Sequence, residues 1–214
     1  MVSRATFDPR LYLVTDAAAC GARGVPETVR AAVAGGVTAV QLRDHRATAR
    51  ELTVSAIGLR ELLAGTGVAL VVDDRLDVAL AAGADGVHLG QSDLPVGMAR
   101  EIAGERLVIG WSVTSLSQAV AAAALAPGTV DYLGVGPVFT TATKPDAAAP
   151  IGVDGLRAIC AVSPVPCVAI GGITVERARE VAGAGVAGIA VVAAICAARE
   201  PTAAAAELRR RTGR

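Results

Sequence analysis

A chain of 214 residues, 53% of them hydrophobic, is long enough to bury one sizeable core. Its 20 Lys and Arg residues cancel its 20 Asp and Glu residues, which excludes the basic face that nucleic acid or an anionic membrane demands. Two Phe, two Tyr and one Trp are too few for a base-stacking platform.

The opening stretch MVSRATFDPRLYLVTD breaks every apolar run with a charge, so it reads as neither a secretory leader nor a membrane span. Cys20, Cys160, Cys167 and Cys196 show no CxxC spacing and read as small buried hydrophobes in a reducing, cytoplasmic setting. Strands are predicted in chain order at 11–16, 39–44, 69–74, 86–90, 107–113, 130–138, 167–172 and 188–195. Ala-, Leu- and Arg-rich segments of helical length lie between them, among them 48–65, 119–126 and 175–185. Gly35-Gly36, Gly83 and Gly185 close helices just before the next strand, where a residue that accepts positive φ is favoured. Strands this uniformly apolar are buried on both faces and belong to a parallel sheet. Eight β–α units at near-equal spacing, with no GxGxxG after the first strand, predict one domain over residues 1–214, an α/β fold of the (β/α)8 TIM barrel type. Residues 201–214 read as the last helix and a basic, frayed end.

In such a barrel the chemistry sits at the C-terminal ends of the strands. Polar residues collect there. Gln41 and Arg43 are two apart and point the same way, followed by Asp44 and His45. Asp73 and Asp74 end the third strand, Gln91 and Asp93 follow the fourth, and Ser112 and Thr114 come with the fifth. The loop after the sixth carries Thr140, Thr141, Ala142, Thr143 and Lys144, and the seventh ends in Gly171-Gly172 before Thr174 and a helix. Arg43 and Lys144 supply positive charge for an anion, Thr141 and Thr143 supply hydroxyls, and the Gly pair exposes backbone N–H groups for phosphate. Three carboxylates on neighbouring strands, all hard oxygen ligands without Cys or His, suit Mg²⁺ bridging a diphosphate. The same residues have plainer readings. Asp73 or Asp74 can cap the next helix, and Arg43 can bridge to Asp44 or another neighbouring carboxylate. His88, inside an apolar run, reads as a core histidine, His45 as the better functional candidate, and Trp111 as packing.

The stretches LYLVTD, GGVTAVQLRD, VVDDRLDVALAAGADGVHLGQSD, VIGWSV, DYLGVGPVFTTATKPDA, PIGVDGL, VAIGGIT and GVAGIAVVAAI follow one another in a specific order. In that order and spacing the chain resembles the thiamine phosphate synthase family along nearly its whole length. The resemblance implies a transferase that joins a hydroxymethylpyrimidine diphosphate to a thiazole phosphate and releases diphosphate. It assigns Gln41, Arg43, Asp44, His45, Asp73, Ser112 and Lys144 to the pyrimidine diphosphate, with Arg43, Lys144 and Ser112 the catalytic candidates. Asp74 and Asp93 would hold Mg²⁺. Thr141, Ala142, Thr143 and Gly172, with Val192 and Ala193 after strand 8, would hold the thiazole phosphate. The implied partners are these small molecules, with no nucleic acid and no membrane, and a homo-oligomer is left open. The chain departs from the family pattern at His45, where Lys is usual, at Asp73 (Asn), at Thr114 (His) and at Ala193 (Ser). Two alternatives accompany the resemblance. A thiazole tautomerase branch shares the barrel, but Thr114 and Asp93 argue against it. A barrel that binds a thiamine precursor without turning it over is the other, kept in view by His45 and Asp73.

Overall fold

The computed structural model describes residues 7–141, 143 and 148–213. Eight strands run β1 (Leu11–Val14), β2 (Ala39–Leu42), β3 (Ala69–Asp73), β4 (Gly86–Leu89), β5 (Val108–Val113), β6 (Tyr132–Val135), β7 (Cys167–Ile170) and β8 (Gly188–Val191). All neighbours are parallel, and β8 pairs with β1, so the sheet closes into a barrel in sequence order. The helices are α1 (Ala17–Cys20), α2 (Gly24–Ala34), α3 (Ala49–Leu63), α4 (Leu76–Ala82) and α5 (Val96–Ala103). They continue with α6 (Leu116–Ala123), α7 (Gly152–Val162), α8 (Ala178–Ala182), α9 (Ala193–Cys196) and α10 (Pro201–Thr212).

Strand alternation sorts the apolar residues into two cores. Leu11, Leu13, Val40, Leu70, Val72, Leu133 and Ile189 face outward and pack beneath the helices. Tyr12, Val14, Ala39, Val71, Val108, Tyr132, Val168 and Ala190 face inward and fill the barrel. Trp111 belongs to the outer packing, as its sequence context suggests. Phe7 closes the lower end, stacked on Tyr132 at 5.1 Å and edge-on to Tyr12 at 6.2 Å between ring centroids. Cys20, Cys167 and Cys196 are buried, Cys160 is half-buried, and all four are free thiols.

Glycine sets how closely the parts approach. A Cβ at Gly35 would fall 2.3 Å from the Thr202 carbonyl oxygen, so α10 lies directly on the end of α2. Thr202 donates to the Ala31 carbonyl at 2.9 Å and Arg209 to that of Gly36 at 3.2 Å. With Ala205 and Leu208 buried, the expected last helix runs through Thr212 and is capped by Gly213 in the left-handed conformation. Inside the barrel, Gly110 and Gly134 occupy inward positions. A methyl at Gly110 would lie 2.2 Å from Tyr132 Cζ, and one at Gly134 would lie 2.7 Å from His88 Cε1.

At the lower rim, carboxylates serve the fold. Asp131 accepts from the Ile109 N–H at 2.7 Å and from Arg100 at 2.7 Å, and Asp85 accepts from the Leu70 N–H at 2.9 Å. The last predicted strand, 188–195, is shorter than expected. The chain leaves the sheet after Val191 and residues 193–196 form α9.

Gly110→Ala is expected to destabilise the protein by about 1–3 kcal/mol, through overpacking against Tyr132 and His88. A thermal melt should fall by several degrees, at roughly 2–4 °C per kcal/mol. An unchanged melting temperature would mean the two rings can move aside.

Candidate active site

The upper rim gathers much of the expected polar set. On β2, Gln41 is 5% exposed and faces the interior, and Arg43 follows two residues on. The Arg43 backbone N–H donates to Thr15 Oγ1 at 3.1 Å, which ties the end of β2 to that of β1. Its guanidinium lies 3.4 Å from Asp73 Oδ2 and 4.0 Å from Asp16 Oδ2. The bridge thus forms with Asp73 and Asp16, while Asp44 accepts from the backbone N–H groups of Arg46 and Ala47 at 2.9 and 3.3 Å. Asp44 therefore shapes the loop that carries His45.

Asp74 has φ 59°, a positive value shared by no other non-glycine among the described residues. The Arg75 N–H donates to the Asp73 carbonyl at 2.6 Å, closing a γ-turn around Asp74, and the Asp74 N–H donates to His88 O at 2.8 Å. Asp tolerates this region better than most residues, and the turn costs on the order of 1 kcal/mol. Arg75, with no side-chain capping bond, occupies the N-cap of α4. His45 Nδ1 lies 3.5 Å from Asp74 Oδ2, and His45 Nε2 lies 3.7 Å from Asp73 Oδ2. One ligand atom from each of His45, Asp73 and Asp74 lies within 4.8 Å of the others. Two hard carboxylates and local negative charge suit Mg²⁺, and the imidazole adds a softer donor. Asp93 is not in that group of three. It stands on the adjoining β4–α5 loop, where its Oδ2 accepts from the Gly90 N–H at 2.6 Å.

Ser112 sits at the top of β5 with Oγ 2.9 Å from His88 Nε2. His88 Nδ1 lies 2.9 Å from the Tyr132 hydroxyl, which lies 3.1 Å from the Tyr12 hydroxyl. Gln41 Nε2 donates to Tyr12 at 3.3 Å. A single hydrogen-bonded chain therefore crosses the interior from Gln41 to Ser112. Thr114 is spent elsewhere, its N–H and hydroxyl both bonded to Gln118 Oε1 at 2.7 and 3.0 Å.

On the far side of the mouth, Gly171 and Gly172 have φ 98° and 65°. A Cβ at Gly172 would meet the Thr140 carbonyl oxygen at 2.5 Å, so the β7 turn is pressed against the β6–α7 loop. The helix expected right after Thr174 begins only at Ala178 and spans five residues, so the backbone of the Gly turn is what remains to meet an anion. The Thr143 N–H donates to Thr141 Oγ1 at 3.3 Å. Val192 packs on the inner core, and Ala193 opens α9 beside it. Ala142 and Lys144 lie outside the described residues. Sequence reasoning missed Asp16, Tyr12, Tyr132 and Arg177. Arg177 donates to the Gly172 carbonyl at 3.0 Å while its guanidinium lies 4.5 Å from the Phe139 ring centre. A polar tip inside an apolar strand was the available signal for both tyrosines.

The family model described as thiamine monophosphate synthase matches residues 11–195. The chain belongs to this family. It is 52% identical to the thiamine-phosphate synthase of Albidiferax ferrireducens, covering 94% of this chain and 90% of the relative. It is also 52% identical to that of Chloroflexus aurantiacus, covering 94% and 92%. A solved thiamine phosphate pyrophosphorylase from Pyrococcus furiosus superposes with TM-score 0.85 at 41% identity, covering 98% of this chain and 97% of that one. Membership makes the chain a transferase. Among the described residues no helix is long and apolar enough to cross a membrane.

Tyr12 and Tyr132 are the chain's two tyrosines, and burial raises both phenols above their ordinary 10.0. The folded protein then keeps protons that the unfolded chain releases, so the stability these groups contribute is complete below about pH 10 and declines as pH rises further. Phenolate absorbance is expected to stay silent in the native protein and to appear for both tyrosines together as it unfolds in alkali. Phenolate forming near pH 10 with native circular dichroism would contradict the burial.

Proposed function

We propose that the protein couples 4-amino-2-methyl-5-hydroxymethylpyrimidine diphosphate to a thiazole phosphate, giving thiamine phosphate and diphosphate, with Mg²⁺ as cofactor. The observation that carries this reading is the meeting of Gln41, Arg43, Asp73, Asp74 and Ser112 at one barrel mouth, in a chain about half identical to named thiamine-phosphate synthases. In this reading the C–O bond at the pyrimidine methylene carbon breaks first, its electron pair leaving with the diphosphate. The thiazole nitrogen then supplies the pair that forms the new C–N bond.

The residues suit a reaction that needs charge stabilisation and orientation more than a nucleophile. Gln41 and Ser112 orient the pyrimidine. Arg43 carries positive charge toward the departing diphosphate, and the family resemblance assigns Lys144 to the same group. The Gly172 turn, with Thr141, Thr143, Val192 and Ala193, lines the wall where the thiazole phosphate would rest, and the family resemblance adds Ala142. Mg²⁺ held by Asp74 and Asp93 would neutralise charge on the leaving group. The inner walls around this mouth, Val14, Ile170 and Val192, are apolar and limit water near the carbocation.

The testing experiment mixes purified protein, Mg²⁺ and both substrates and follows thiamine phosphate. Product that disappears with EDTA is the expected result, and no product with active reagents would sink the reading. Asp74→Ala and Asp93→Ala are each expected to lower turnover by roughly a hundredfold or more, without loss of fold. Near-normal rates at saturating Mg²⁺ would remove that carboxylate from the metal site. His45→Lys is expected to lower KM for the diphosphate substrate, most clearly in mildly alkaline buffer where an imidazole is neutral. An unchanged KM there would mean residue 45 does not face the diphosphate.

A further inference from the structure

We propose that Tyr12, Tyr132 and His88 are positioning residues, a relay through the barrel interior that orients the Gln41 amide and the Ser112 hydroxyl and so selects an aminopyrimidine. This rests on the proposed function and names what sets its substrate selectivity.

The relay is built into the packing. The His88 and Tyr132 rings fit only because Gly110 and Gly134 face them, since a methyl at Gly110 would sit 2.2 Å from Tyr132 Cζ and 2.5 Å from His88 Nδ1. The rings are 5.5 Å apart between centroids, and Tyr12 meets Tyr132 edge-on at 6.1 Å. Both tyrosines are 1% exposed, and burial keeps both as neutral phenols.

Proton accounting gives the relay a direction. Gln41 Nε2 donates to the Tyr12 oxygen, so the Tyr12 proton points to Tyr132. The Tyr132 proton then goes to His88 Nδ1, which makes His88 a neutral imidazole with its proton on Nε2. That proton points to Ser112 Oγ, and the Ser112 proton is directed into the mouth. Along the chain, Tyr12, Tyr132 and His88 each accept from one neighbour and donate to the next. The Gln41 amide cannot turn over unless every proton in the chain reverses, because its carbonyl would then meet the lone pairs of Tyr12.

Held in this way, Gln41 presents its carbonyl oxygen and one N–H to the mouth. An aminopyrimidine edge carries the complement, an amino donor beside a ring-nitrogen acceptor, as adenine does toward a Gln or Asn side chain. Ser112 adds a fixed donor across the barrel. A site built this way discriminates strongly against an analogue that lacks the amino group, because buried polar groups are left unpaired.

The test measures kcat and KM of the full chain with the aminopyrimidine diphosphate and with the analogue bearing hydrogen in place of the amino group. Tyr132→Phe keeps the ring and removes the link. It is expected to lower the preference for the amino substrate about ten- to a hundredfold while KM for the thiazole phosphate stays unchanged. Tyr12→Phe should behave alike and serves if Tyr132→Phe does not fold, and the double variant should be no worse than either single one. Unchanged selectivity, or equal loss toward both pyrimidines, would overturn the relay while an active wild type preserved the functional reading. A wild type that forms no thiamine phosphate would overturn both.

Discussion

The interior of a closed eight-stranded barrel is filled by side chains, and every inward position competes for the same small volume. Here that volume is divided unevenly. Glycines at 110 and 134 give up their share, and the rings of His88 and Tyr132 take it. Polar tips are thereby buried in the barrel interior, where each needs a hydrogen-bond partner. Among the described residues, the hydrogen bonds of Tyr12, Tyr132 and His88 run outward to Gln41 on one side and Ser112 on the other. A packing decision in the middle of the barrel thus determines which hydrogen-bonding groups appear at its mouth.

The two rims use charge differently. At the lower rim Arg100 and Asp131 meet at 2.7 Å, and both are further bonded to the backbone, so their charge is consumed by the fold. At the upper rim Arg43 stands 3.4 Å from Asp73 and 4.0 Å from Asp16, longer than a tight charge-assisted hydrogen bond. Among the described residues Asp16 and Asp73 both approach Arg43, and Asp73 and Asp74 share His45, a grouping of oxygen donors of the kind that can hold a cation. The strained γ-turn at Asp74 keeps one of these carboxylates aimed at the rim, away from the strand ladder.

The barrel was legible in the sequence because its signals are local: apolar runs of strand length, glycines at helix ends and regular spacing. Their ends were less legible. The run at 188–195 is uniformly hydrophobic, yet β8 stops at Val191 and α9 begins at Ala193, and hydrophobicity alone does not separate a buried strand from a buried helical turn. Gln41 and Arg43 could be paired from the period of two, and Asp73-Asp74 from charge at a strand end. The Tyr12–Tyr132 contact could not, because it joins residues 120 positions apart and depends on the register around the closed sheet. Arg177 escaped for a similar reason, since its contacts with Gly172 and Phe139 join two loops that only the fold brings together.

Register also changes how the departures from the family pattern combine. His45 and Asp73 look independent in sequence, one the loss of a cation and the other the gain of a carboxylate. In the fold they face each other, with His45 Nε2 3.7 Å from Asp73 Oδ2 and His45 Nδ1 3.5 Å from Asp74 Oδ2. An imidazole can meet a carboxylate as a neutral hydrogen-bond donor or as a cation, whereas a lysine offers a fixed charge on a long flexible stem. The added carboxylate therefore arrives with a neighbour able to answer it, as a hydrogen-bond donor or as a cation. The two positions form one interacting unit, so their energetic effects on the mouth are not additive.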